Sequence, residues 1–201
     1  PMGPARIRSS NSPTKPKRSP VGEYDQRLLC LTCEKSLSPY DNYANELFRQ
    51  RSPDGEIWDA GKLLAYRYDN VDHKLLRVFL ITLIWRMHAT QRPMFQSVQL
   101  GQYAEPFRIA AMTKDGSALP ELDFVLTRFD NRNMGLLGPT KLRLGGVNGY
   151  RLTFQGYSVW AKIDRRVVPS PFDEVVLSTG GPLHMLASEF RDSAEFRAML
   201  G

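Results

Sequence analysis

Twenty residues near the middle of the chain constrain its fold more than any others. Within 71–90, Val71, Leu75, Leu76, Val78, Phe79, Leu80, Leu83, Ile84 and Met87 cover more than one face of a helix. A surface helix carries one apolar stripe, whereas a helix apolar nearly all round has to be enclosed by other elements. The spacing therefore predicts a buried central helix, with Asp69 or Asn70 as its cap. Its most apolar run, Val78 to Trp85, is eight residues long and lies between Arg77 and Arg86. That falls far short of the roughly 20 residues needed to cross a bilayer. What encloses the helix must be protein.

The flanking sequence supplies the enclosure. Ser38-Pro39 reads as the cap and first residue of a helix running through Tyr43, Leu47 and Phe48. Ser52-Pro53-Asp54-Gly55 is a turn, and a shorter helix is expected over 103–113. From residue 120 the pattern becomes β. Strands are expected at 123–129 and 141–144, then a hairpin loop over Gly145-Gly146-Val147-Asn148-Gly149. Strands at 150–154 and 157–163 follow, around a bulge or tight bend at Gly156. A last helix is expected from Asp192, at capping-box spacing from Glu195, to Leu200. The fold class is α+β: a buried central helix with flanking helices, then an antiparallel, β-rich C-terminal half. One domain is expected over 21–201, helical over roughly 21–115 and β-rich over roughly 116–201. There is neither a βαβ alternation nor a glycine-rich phosphate loop.

Residues 1–20 stand apart. Five prolines block helix there, so a disordered or extended arm is expected. The arm holds Arg6, Arg8, Lys15, Lys17 and Arg18 and no acid. Without those five, the net charge of +6 falls to 22 basic against 21 acidic residues. The basic character belongs to the arm, whose cations can neutralise phosphates of DNA or RNA or simply remain solvated. No apolar segment follows the basic start, so no secretory signal is read and a cytoplasmic location is expected.

Cys30 and Cys33 are the chain's two cysteines. Two thiols on one tight turn are how a zinc knuckle presents two thiolates to one metal, and zinc takes four ligands. The other two can come from His73, His88 or His184, from a second copy of the chain or another protein partner, or from sequence upstream. The alternative is a pair of reduced thiols without metal. A redox role is the weaker reading, because the pair is not expected to open a helix after a strand in a thioredoxin-like pattern.

The run Val21-Gly22-Glu23-Tyr24-Asp25, Leu28-Leu29-Cys30-x-x-Cys33-Glu34 and Tyr40-Asp41-x-Tyr43-Ala44 resembles uncharacterised bacterial proteins related to the HNH endonucleases. The likeness continues through Phe79-Leu80, Leu83-Ile84-Trp85-Arg86, Val98-x-Leu100-Gly101 and Gly146-Val147-Asn148-Gly149-Tyr150-Arg151. It reaches Gly156-Tyr157, Lys162-Ile163-Asp164-Arg165-Arg166 and Pro182-Leu183-His184. The resemblance implies that this cysteine pair is the second of two. An earlier Cys-x-x-Cys and a histidine flanked by Ile-Ile-Pro, the expected general base, would precede it. No histidine occurs in residues 1–72, so the chain is expected to lack that N-terminal part. Cleavage would need a base and a divalent metal on the scissile phosphate, and so would depend on upstream sequence. The resemblance also marks Glu34 as a candidate metal-site or catalytic residue. Its plainer role is a first-turn acid facing a helix N-terminus.

Arg86, inside the most apolar helix, must be paired. His88 reads as a helix-terminal cation. Tyr150, Phe154, Tyr157 and Trp160 are expected to share a buried sheet face with Arg151 outside. Lys162, Arg165 and Arg166 are expected to form an exposed basic patch for nucleic acid. Two functions follow as expectations. One is a nucleic-acid-associated HNH-like protein with a half zinc site. The other is a non-enzymatic interaction module in a bacterial defence or toxin–antitoxin assembly.

Overall fold

The computed structural model describes residues 6–8, 17–18, 25, 28–130, 136–177 and 180–192, with backbone alone at 6–8, 17–18 and 192. Three α-helices and one mixed sheet make up the fold. In chain order the elements are β1 (Arg6–Arg8), β2 (Lys17–Arg18), α1 (Leu31–Asn45), β3 (Gly55–Asp59), β4 (Lys62–Tyr68), α2 (His73–Ala89) and α3 (Ala104–Thr113). They continue with β5 (Phe124–Phe129), β6 (Leu136–Leu144), β7 (Val147–Phe154), β8 (Tyr157–Lys162) and β9 (Leu183–Ser188). The sheet order is β2-β1-β6-β7-β8-β5-β9-β4-β3. The helices lie in the N-terminal half and most strands in the C-terminal half, as an α+β chain requires.

Strand alternation divides the side chains between two faces of the sheet. Phe124 and Leu126 of β5, Tyr150 and Leu152 of β7, Tyr157, Val159 and Ala161 of β8, and Leu183 and Met185 of β9 meet the helices in the main core. Leu76, Leu80, Ile81 and Ile84 of α2 lie at the centre of that core, fully buried. The opposite face carries a smaller cluster, Val125, Val147, Trp160 and Val168, covered by Phe172, Val175 and Val176. Trp160 therefore does not share the face of Tyr150 and Tyr157. It lies opposite Arg151 in the register, one step out of phase with the pairs Tyr150–Ala161 and Phe154–Tyr157.

Other departures from the sequence reading have local causes. The first helix starts at Leu31 and carries Pro39 inside it. Proline removes one i to i−4 bond, and the residues it would have joined, Lys35 and Pro39, are both exposed, so water reaches the freed carbonyl. The cap of α2 is Asp72, whose Oδ1 accepts from the Leu75 amide at 2.9 Å. Asn70 instead takes a left-handed backbone, φ 52°, in the turn before it. The helical half contains the β3–β4 hairpin, whose Ala65 to Tyr68 pair with β9. β5 and β9 run parallel, so the β-rich half is not wholly antiparallel. Gly145 and Gly146 alone turn the β6–β7 hairpin, both with positive φ. Gln155 and Gly156, also with positive φ, make the tight bend expected between β7 and β8. Beyond Asp192, the helix expected to run to Leu200 lies outside the described residues.

No helix among the described residues is long and apolar enough to cross a membrane. Arg86 is paired as expected: both Asp41 oxygens accept from its Nη2 at 3.0 Å, fastening α2 to α1.

Three substitutions test the packing. Leu80→Ala should lower unfolding stability by about 2–5 kcal/mol, whereas Val167→Ala, at a site 82% exposed, should change it by less than about 0.5 kcal/mol. A Cβ on Gly149 would lie 2.3 Å from Trp160 Nε1 and 2.6 Å from the Ala161 carbonyl. Gly149→Ala should therefore destabilise by about 1–3 kcal/mol in a denaturant titration.

Candidate functional site

The cysteine pair heads α1. Cys30 is the N-cap, with extended backbone (φ −75°, ψ 159°), and its Sγ accepts from the Cys33 amide at 3.4 Å. The Glu34 amide donates to the Cys30 carbonyl at 2.9 Å, and Ser36 Oγ donates to the Cys33 carbonyl at 2.8 Å. A cap normally satisfies an orphan amide with oxygen; here sulfur does so. The pair opens α1, but among the described residues no strand leads into that helix, so the strand-to-helix arrangement of a thioredoxin-like site is not formed. Both cysteines are free, Cys30 exposed and Cys33 half-buried.

This placement separates the two thiols electrostatically. The Cys33 backbone amide, donating to the Cys30 sulfur, holds the Cys30 thiol below its ordinary value. Cys33 is pushed up, first by its hydrogen bond to Cys30 and then by the charge Cys30 acquires, with a small opposing pull from Lys114. The anion of the pair therefore forms first at the exposed sulfur.

The histidines are engaged elsewhere. His73 Nε2 lies 2.7 Å from the Gly181 carbonyl, and His88 Nδ1 lies 3.3 Å from the Val98 carbonyl. His184 sits on β9 opposite Arg67 of β4. Glu34 occupies the first turn of α1. Among the described residues, no group of three or more His, Cys, Asp or Glu side chains is placed to hold a metal ion. If the pair binds zinc, the remaining ligands must come from a second copy of the chain, from another protein or from residues outside the described ones.

The basic candidates also separate. Arg6 and Arg8 fall in β1, which pairs parallel with β6, and Lys17 and Arg18 fall in β2. Lys15 lies outside the described residues. Lys162 does not belong to an exposed patch: its side chain is 4% exposed and its Nζ lies 2.6 Å from Asp123 Oδ2. The reason is register, since Lys162 ends a strand whose other residues are all buried. Arg166 grips Asp164 through its backbone amide and Nε, both at 3.0 Å, and through Nη2. Those bonds, with the Asn148 amide, hold the Asp164 carboxyl far below the usual carboxylate range. Only Arg165 of the three is an exposed cation without such a partner among the described residues.

Comparison with known protein families, curated proteins and solved structures finds no match to this chain.

Two features escape sequence reasoning. Arg77, on the buried helix, donates to the carbonyls of Gly116, Leu119 and Leu122 at 2.8, 2.7 and 2.6 Å. It fixes the loop between α3 and β5. Between that loop, α3 and the end of β8 lies a cavity of about 390 Å³ lined by Tyr103, Phe107, Leu119, Leu122, Lys162 and Arg165, among others. Its walls come from segments distant in sequence, so no motif announces it.

The thiol asymmetry has a direct readout. Iodoacetamide should modify Cys30 before Cys33, with a rate that inflects at a lower pH than that of a free cysteine. Cys30→Ser should accelerate Cys33 by removing the group that raises it. Mass spectrometry of tryptic peptides across a pH series checks both; equal rates at the two sulfurs would contradict the assignment.

Proposed function

We propose that this chain is a nucleic-acid-associated protein of HNH-like ancestry in which Cys30 and Cys33 supply half of a structural zinc site. The observation that carries the reading is the placement of two free thiols within one turn at an exposed helix start. A helix N-terminus favours anionic sulfur, and zinc binds thiolate rather than thiol. The other two ligands come from a second Cys-x-x-Cys, the one that the resemblance implies upstream, or from a second copy of the chain. When bound, the metal would tie the start of α1 to the segment that brings those ligands.

The nucleic-acid part of the reading rests on the arm. With Lys162 buried and Arg166 committed to Asp164, the cations of 162–166 reduce to Arg165, and Arg6, Arg8, Lys15, Lys17 and Arg18 hold the concentrated positive charge. Phosphate neutralisation by such a segment is non-specific and falls steeply with salt. Cleavage is not assigned to the described residues, since none of the three histidines is beside the cysteine pair.

Metal analysis and cobalt substitution test the zinc half. The chain should retain zinc, and Co²⁺ should give the charge-transfer and d–d absorption of a tetrahedral thiolate site. Both should vanish in Cys30→Ser/Cys33→Ser. Equal metal content in the two proteins would remove this reading. Changing the five arm cations to glutamine should reduce the slope of log K against log salt for duplex DNA by about 4–5. An unchanged slope, measured by fluorescence anisotropy, would exclude the arm from the interface.

A further inference from the structure

We infer that β3, the strand at one end of the sheet, is a self-association surface, on which β3 of a second copy of this chain pairs antiparallel with Ile57 opposite Ile57. This surface is independent of the cysteine pair and of the nucleic-acid reading. β3 is the last strand in the sheet order and, among the described residues, pairs with β4 alone. Its outer side therefore presents a row of backbone N–H and C=O groups with no ladder partner. Water or another strand has to satisfy them.

The two ends of the sheet treat that exposure differently. Edge strands are blunted by lysine, proline, bulges or very short length. β2, at the far end, consists of Lys17 and Arg18 beside Arg6 and Arg8 of β1, so a like strand would meet only like charge. β3 runs Gly55-Glu56-Ile57-Trp58-Asp59, with neither lysine nor proline. Its ladder to β4 does shift, but the extra residue belongs to β4: Ile57 pairs with Ala65 and Trp58 with Leu63, which skips Leu64. β3 is also apolar where it meets water. Trp58 is 58% exposed, and Ile57 and its neighbour Leu64 are exposed as well.

The residues of β3 select its partner. Two copies related by a two-fold axis normal to the sheet pair in a register centred on one residue, because opposite side chains must share a face. Centring on Glu56 would set two carboxylates against each other, which is unfavourable. Centring on Trp58 would leave Gly55 and Glu56 beyond the end of the partner strand. Centring on Ile57 pairs the whole strand, with Gly55 opposite Asp59 and Glu56 opposite Trp58, and no acid meets an acid. Within one chain Trp58 Nε1 already donates to Glu56 Oε2 at 3.1 Å, so these two side chains share a face. Across the axis the two isoleucines then meet on one face and the two Trp–Glu pairs on the other.

Sedimentation velocity on the full chain tests this, in EDTA so that no metal bridges two copies. Between about 10 μM and about 1 mM the chain should pass from monomer to dimer, the range expected of a short interface. Ile57→Lys, at an exposed site, should raise the dissociation constant at least about tenfold, since two ammonium groups would meet on the axis. Val167→Lys, at an exposed apolar residue away from β3, should leave it unchanged. Cross-linking with diamide in the Cys30→Ser/Cys33→Ser chain reads the register. Ile57→Cys should give a covalent dimer, its two Cβ atoms starting about 5 Å apart. Asp59→Cys should not, its two copies lying at opposite ends of the ladder, about 13 Å apart. A monomer throughout that range would leave the edge to a strand from another protein, or to water, and would overturn the inference. A dimer unaffected by Ile57→Lys would do the same. Equal cross-linking at 57 and 59 would overturn the antiparallel register.

Discussion

An α-helix with apolar side chains around most of its circumference has no side to give to water, and the rest of this chain is arranged around that constraint. Leu76, Leu80, Ile81 and Ile84 of α2 are fully buried, which requires a sheet on one side and further helices on the other. Each apolar residue removed from water contributes on the order of 1.5–3 kcal/mol, so these four outweigh any single surface contact. The polar residues that α2 does carry become fasteners. Asp72 caps it, Arg86 ties it to Asp41 of α1, and Arg77 takes three carbonyls of the loop before β5.

What sequence reveals about such a fold depends on the length over which a pattern repeats. The central helix and the strands from 124 to 162 are legible because period 3.6 or period 2 persists over many residues. The β3–β4 hairpin is not, since most of its side chains are exposed; Trp58 is 58% exposed. An edge strand carries little burial signal, whatever its backbone pairing. Pro39 misled for another reason: its usual place is the first turn of a helix, yet an exposed position tolerates it within one. The face of Trp160 could have been read from strict alternation with Tyr157 and Val159. The reading grouped aromatics by type, and type does not set direction.

The candidate site was legible in its chemistry and not in its surroundings. Cys30 and Cys33 mark themselves by spacing, but their separation into a more acidic and a less acidic thiol depends on where α1 starts. Lys162 shows the converse. In the sequence it leads a run of cations; in the fold it ends a buried strand beside Asp123. Charge counted along a chain becomes charge arranged in space only once the strand register is known.

Arg77 and Arg86 lie nine residues apart on one buried rod, and each grips a different neighbour. The α3–β5 loop and the first helix, headed by the cysteines, are consequently coupled through a shared strut. A displacement of that strut along its axis would be transmitted to both attachments at once. The loop and the first helix are held to one rod by guanidinium groups, whose planar forks resist slipping where a lysine would swivel.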